Sequence, residues 1–307
     1  MSLKKEYIEG FAENNGVKIF YRAHGPIDAD PILMVHGLGA QLVHWPDHLI
    51  DFFKANNFRP IAYDNRDVGL SSRFSNNPSF LLNYIKYFLR LPVKSEYKIE
   101  DMAEDGIKLL ETLNINKAHI VSTSMGGMIS QIICAKYPEK IKSFTLIAST
   151  ASTPSPLNAP TKPVRKIMMQ RSKYPNVSHE EIIKREIKMV SLIGMKGRIV
   201  DTPEFRRETL ENLDRGKDRS GYARQLLSIL ASKDRLKKIR KIKTPTLIIH
   251  GKDDPMINIK NAYKMHRLIP NSQLKIIENM RHLIEPEILQ QFDAILLEHL
   301  KINASKN

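Results

Sequence analysis

The chain has 307 residues, 42% hydrophobic and 26% charged, with 14 Gly, 17 Pro, one Cys and a net charge of +15. The apolar content excludes a disordered chain, and the modest Gly and Pro counts exclude a fibrous one, so one large domain or a domain carrying an insertion is expected. No run approaches the roughly 18–20 apolar residues of a membrane span, no apolar signal segment follows Met1–Glu6, and Cys134 alone forms no internal disulfide, which together point to a cytoplasmic setting.

Taken in chain order, Tyr7–Phe11 and Val17–Tyr21 read as strands flanking Asn14-Asn15-Gly16, a strong hairpin turn signal. Ile32–Val35 is a compact apolar run that ends at His36-Gly37-Leu38-Gly39, and Pro60–Tyr63 ends at Asp64-Asn65-Arg66-Asp67. An unusually apolar stretch, Pro78–Val93, precedes a helix expected over Ile99–Leu113. The strand His119–Val121 stops at Ser122-Thr123-Ser124-Met125-Gly126-Gly127 and feeds a helix over Met125–Tyr137; Phe144–Ala148 is the next strand. From about Ala151 to Lys241 the rhythm breaks into a Pro-rich start (Pro154, Pro156, Pro160, Pro163) and basic helical sequence. Thr246–Ile249 then ends at His250-Gly251-Lys252-Asp253-Asp254-Pro255, followed by a helix over Ile259–Leu268, a strand at Leu274–Ile277 and a helix over Glu287–His299.

Short apolar runs, each followed by polar loop residues and separated by helices, imply an α/β fold with a mostly parallel sheet covered on both faces. Functional groups then gather beyond the carboxyl ends of the strands. The charge is unevenly placed: Lys162–Lys243 holds 23 basic against 10 acidic residues. No zinc-ligand spacing, RNA-binding aromatic segment or phosphate loop accompanies it, so a solvated helical surface is expected rather than a nucleic-acid partner.

Ser122-Thr123-Ser124-Met125-Gly126 carries the chemistry. A serine at the apex of a strand-to-helix turn projects its Oγ from the sheet beside the free N–H groups of the helix start. Small-x-Ser-x-Gly alone is also what a helix N-cap looks like. A serine nucleophile needs a base, and the base needs an orienting acid. His282 follows the last strand and Asp254 sits in a strand-end loop, giving the chain order Ser, Asp, His. The N–H groups of Met125 and Leu38 are the candidate oxyanion donors. Asp253 competes with Asp254 for the acid.

With those residues in view, the chain resembles the α/β-hydrolase superfamily along nearly its whole length. The resemblance rests on His36–Gly39, the string Asp64–Ser72, the serine turn, the Gly251–Pro255 loop and His282. His44-Trp45-Pro46, Asp64–Ser72 and the early apolar insertion are similar to the aclacinomycin methylesterase-like branch. This implies a mostly parallel central sheet with helices on both faces, a core of residues 1–150 and 242–307, and a helical cap of residues 151–241. It also implies hydrolysis of a small carboxylic ester with an apolar portion, without cofactor or metal ion, and it favours Asp254, directly before Pro255, as the acid. Serine at the turn argues against dehalogenase and epoxide hydrolase chemistry. Thioester, lactone, amide and C–C bond hydrolysis stay open, as does slow-turnover ligand binding on the same fold.

Two positions depart from the family pattern: Ser122 stands where glycine is usual, and Arg281 precedes the histidine where glycine is frequent. Arg281 is expected to point to solvent, Arg66 and Asp67 to form a structural pair, and His36 and His250 to satisfy backbone groups. Pro78–Val93 is expected to pack into the cap and wall the substrate pocket, with membrane contact the lesser expectation. Oligomeric state is not legible.

Overall fold

Asn15 and Gly16, at φ 50° and 81°, close a two-residue turn between β1 (Tyr7–Asn14) and β2 (Val17–His24). Positive φ at both positions matches the strand twist, which is why Asn-Gly sits there. The computed structural model describes residues 7–76, 79–155, 159–171, 177–216 and 220–304; the first six residues, Pro78 and Pro156 lie outside the described residues. The chain continues as β3 (Asp30–Val35), α1 (Asp47–Ala55), β4 (Phe58–Tyr63), α2 (Phe80–Phe88), α3 (Ile99–Thr112), β5 (Ala118–Thr123), α4 (Met125–Lys136) and β6 (Ile141–Ile147). Five helices follow before the sheet resumes: α5 (Lys162–Arg171), α6 (His179–Ile193), α7 (Pro203–Arg215), α8 (Ser220–Ala231) and α9 (Leu236–Ile239). Then come β7 (Thr246–Gly251), α10 (Lys260–Leu268), β8 (Gln273–Ile277), α11 (Pro286–Leu289) and α12 (Asp293–Ala304).

The eight strands form one sheet in the order β1-β2-β4-β3-β5-β6-β7-β8, parallel from β4 to β8 and antiparallel at the β1–β2 and β2–β4 edges. Successive residues of the central strands serve opposite faces. Leu33 and Val35 pack with α3 and α4 residues such as Ile107 and Ile129, whereas Ile32 and Met34 pack with Leu49 and Phe53 of α1 and Leu296 of α12. All four strand side chains are fully buried, and each contributes about 1.5–3 kcal/mol by leaving water. After β3 the chain adds β4 on one side and β5 on the other, so β3 and β5 flank the point where strand order reverses. Loops converge at such a point.

Three expectations change. The helix read over Glu287–His299 is two helices, α11 and α12, separated at Gln290–Phe292; Phe292 turns into the core at the break. α1 goes unread in the sequence, though its Leu49, Ile50 and Phe53 form a buried stripe. The apolar insertion forms α2, but most of its large side chains face outward, and only Asn83 is buried.

The basic segment is not merely a solvated face. Arg224 and Arg235 are 1% and 2% exposed. Arg235 of the α8–α9 connection donates to Gln131 Oε1 at 3.0 Å and to the Thr150 carbonyl at 3.2 Å, and burial pulls its pKa down to about 10. Nor do Arg66 and Asp67 pair with each other. Arg66 makes a two-pronged contact with Asp105 of α3 at 2.7 and 2.6 Å. Asp67 accepts from Arg224 of α8 at 3.0 and 2.8 Å and from the Tyr97 hydroxyl at 2.7 Å. Neighbouring residues on a strand-end loop point apart, so each takes a partner from a different helix.

Removing one member of a buried ion pair strands the other charge, so Asp105→Ala is expected to lower the unfolding free energy by about 3–5 kcal/mol. Urea denaturation measures it, and adding Arg66→Met to the variant restores part of the loss.

Candidate active site

β5 ends and α4 begins at Ser124, which occupies φ 55°, ψ −122°. That backbone conformation costs a non-glycine residue about 1–3 kcal/mol and persists only where the surroundings impose it. They do so through four contacts. Ser124 N–H donates to the Ile147 carbonyl of β6 at 3.1 Å, and the Ser124 carbonyl accepts from Gly127 N–H at 3.0 Å and Ser149 Oγ at 2.7 Å. The fourth is the approach of α4 to β3: a Cβ on Gly126 would lie 1.9 Å from the Val35 carbonyl oxygen. Ser122, the departure from glycine, fits because its side chain is fully buried and its Oγ donates to the Thr145 carbonyl at 3.3 Å.

The loop after β7 presents Asp254. Its Oδ1 accepts from Met256 N–H at 2.7 Å and Ile257 N–H at 2.9 Å, while Oδ2 lies 2.8 Å from His282 Nδ1. A carboxylate bonded to two amides only accepts, so Nδ1 of His282 carries the proton and Nε2 holds the lone pair in the neutral ring. Asp253, the competing acid, is solvent-exposed. His250 backs the loop: its Nε2 donates to the Ile257 carbonyl at 2.8 Å and sits 3.7 Å from Asp254 Oδ2. Burial lowers the His250 pKa despite that carboxylate.

His282 is held from the inserted helices. Its N–H donates to the Ile193 carbonyl at 2.8 Å, and Arg281 Nη1 donates to the Leu192 carbonyl at 2.8 Å. Arg281 thus satisfies orphan carbonyls at the C-terminus of α6, and the expectation that it points to solvent is corrected.

The loop after β3 completes the arrangement. Gly37 N–H donates to Nδ1 of His36 at 2.7 Å, and Gly39 N–H donates to Gln225 Oε1 of α8 at 2.8 Å. His36 is neutral, its pKa pushed down to about 3 by burial and by the neighbouring His44 and His282 rings. Gln225 is fully buried and its Nε2 donates to the Arg66 carbonyl at 2.8 Å, so one side-chain amide bridges two strand-end loops. Gly39 has φ 70°, and a Cβ there would meet the Tyr222 ring at 2.6 Å. Tyr222 and Gln225, three residues apart on one face of α8, therefore press on and bond the same backbone residue. At the far side of the loop, Asp64 accepts from Leu42 N–H at 2.7 Å and faces Arg215 of α7 at 2.8 Å.

Sequence reasoning missed Gln225, Tyr222, Arg215 and Arg224. The one available signal was the polar pair Arg224-Gln225 inside an otherwise apolar helix. Cys134 is buried, and desolvation raises its thiol pKa, so it takes no part. Among the described residues no group of three or more His, Cys, Asp or Glu side chains is placed to hold a metal ion.

Over 294 residues the chain is 25% identical to the rhodomycin D methylesterase DnrP of Streptomyces peucetius, a match spanning 90% of this chain and 92% of that protein. It is 24% identical over 277 residues to 3-oxoadipate enol-lactonase 2 of Acinetobacter baylyi, spanning 90% and 91%. Among solved structures, the 2-hydroxy-6-oxo-6-phenylhexa-2,4-dienoate hydrolase of a Rhodococcus species superposes with a TM-score of 0.74 at 15% identity, over 96% of this chain and 99% of that one; this likeness is one of fold. The parallel sheet, the strained serine turn and these relatives agree with the family match itself: residues 30–190 and 195–285 match the alpha/beta hydrolase fold, and the chain belongs to the α/β-hydrolase family.

Proposed function

We propose that the protein is a cofactor-free serine hydrolase of carboxylic esters. The observation that carries the reading is the 2.8 Å contact between His282 Nδ1 and Asp254 Oδ2, in a chain whose Ser124 is the apex of a strand-to-helix turn. Ser124 Oγ attacks the ester carbonyl while His282 Nε2 takes its proton. Asp254 keeps the ring in the required tautomer and stabilises the imidazolium. His282 then protonates the leaving alcohol, and water, deprotonated by the same ring, releases the acid and regenerates Ser124. The negative oxygen of each tetrahedral intermediate is held by the N–H groups of Met125 and Leu38. Relatives named as a methylesterase and an enol-lactonase support an ester substrate.

In this reading residues 151–241 are a cap, and α8 is its functional element. Gly37 and Gly39 have their N–H groups occupied by His36 and Gln225, which leaves the Leu38 N–H between them for substrate. A loop pinned on both sides presents that donor without reorganising during the reaction, which is the source of its catalytic value. Gln225 is then a positioning residue.

Ser124→Ala is expected to abolish labelling by a fluorophosphonate probe and to lower p-nitrophenyl ester turnover by about three orders of magnitude or more, with thermal unfolding unchanged. Retained labelling or turnover contradicts the assignment. Gln225→Ala is expected to lower kcat about tenfold with KM nearly constant, since the loss falls on the oxyanion. Steady-state kinetics on the same esters measure the split, and an unchanged kcat removes Gln225 from the account.

A further inference from the structure

α2 is packed the wrong way round for an ordinary helix. Ser79 caps its N-terminus, accepting from Leu82 N–H at 3.3 Å. Its polar side is the inner one: Asn83 is buried, donating to the Ser79 carbonyl and accepting from Lys94 N–H, each at 2.9 Å, and the Tyr87 hydroxyl donates to the Pro154 carbonyl. Leu81, Leu82, Ile85, Phe88 and Leu89, with Leu91 of the following turn, are each between 47% and 64% exposed. Positions 81, 85, 88 and 89 recur at helical spacing, so these side chains make one contiguous stripe. A contiguous exposed apolar patch of this kind marks a contact surface.

The charge around the stripe identifies the occupant. Val68–Ser95 contains four cations, Arg73, Lys86, Arg90 and Lys94, and no carboxylate. Among the described residues, none of Lys86, Arg90 and Lys94 pairs with an acid, and Glu96, next in the chain, is bonded by Asn76. A second copy docking on this face by a two-fold axis would set the same cations against one another on a chain of net charge +15. A surface with an apolar interior and anionic rim fits both the stripe and the cations.

We propose that α2 and the turn after it dock on an anionic phospholipid surface. The stripe seats at the boundary between headgroups and acyl chains, and Lys86, Arg90 and Lys94 lie on the phosphates. The surface works independently of Ser124 chemistry, and it requires no spanning segment: among the described residues no helix is long and apolar enough to cross a membrane.

Co-sedimentation of the full chain with vesicles of phosphatidylcholine alone, and of phosphatidylcholine mixed with phosphatidylglycerol, tests this at physiological salt. The expected result is binding to the mixed vesicles and little to the neutral ones. Leu82→Glu with Ile85→Glu is expected to weaken that binding at least about tenfold, since both leave the apolar stripe and oppose the headgroup charge. Lys86→Gln and Arg90→Gln, which leave the stripe intact, are each expected to cost about fivefold. Melting curves and hydrolysis of a soluble ester by the variants show that folding is retained. Absence of binding to either vesicle, equal binding to both, or a wild-type dimer that Leu82→Glu dissociates would overturn the proposal, the last by assigning the stripe to a second copy.

Discussion

The backbone of Ser124 is the constraint around which the rest is arranged. Its φ of 55° and ψ of −122° are unfavourable for any residue with a side chain, yet they let a strand turn into a helix with the hydroxyl at the apex. The turn survives because β6 accepts its N–H, Ser149 and Gly127 donate to its carbonyl, and α4 is drawn against β3 until Gly126 touches the Val35 carbonyl. A sheet buried on both faces supplies the stiffness. Stability drawn from the packing of β3, β5 and β6 is thereby spent on one strained residue, a pattern that marks functional sites.

The helices between β6 and β7 hold the loops at the strand ends. α6 holds the loop of His282 through the Ile193 and Leu192 carbonyls. α8 holds the loops after β3 and β4 through Gln225, Tyr222 and Arg224. Three of the four strand-end loops described, those after β3, β4 and β8, are thus bonded by residues from outside the sheet. In the proposed mechanism the base and the oxyanion donor both depend on that insertion, while Asp254 depends on its own turn and on His250. Among the described residues the segment buries two arginines, Arg224 on Asp67 and Arg235 on Gln131 and Thr150, because a guanidinium spans two acceptors where lysine reaches one.

What was legible in the sequence has local signals. Asn15-Gly16 names its own turn; Ile32–Val35 reads as a strand from its apolar run; Ser122–Gly127 follows a strand and opens a helix. Chain order nominates His282 and Asp254, and the resemblance favours Asp254 over Asp253; the structure places these two side chains, His282 and Asp254, 2.8 Å apart. What was not legible depends on juxtaposition across the chain. Arg66 and Asp105 are 39 residues apart, and Asp67 and Arg224 are 157 apart, so the adjacent Arg66-Asp67 suggested a pair that does not exist. Gly39 and Gln225 are 186 apart, with no motif at either end to connect them. The apolar insertion shows a subtler limit: its composition sets it apart from an ordinary exposed loop, but composition alone says nothing about which way the apolar side chains of α2 face.

The account stands or falls on covalent chemistry at Ser124. The direct measurement is brief mixing with p-nitrophenyl acetate, an acid quench, and mass spectrometry of the peptide carrying residues 122–127, alongside the time course of p-nitrophenol release. The account predicts a single acetyl group on Ser124, formed with the first turnover and lost as the enzyme recycles. Continued turnover with no adduct on that peptide, or acetylation confined to lysine or histidine side chains, would contradict it.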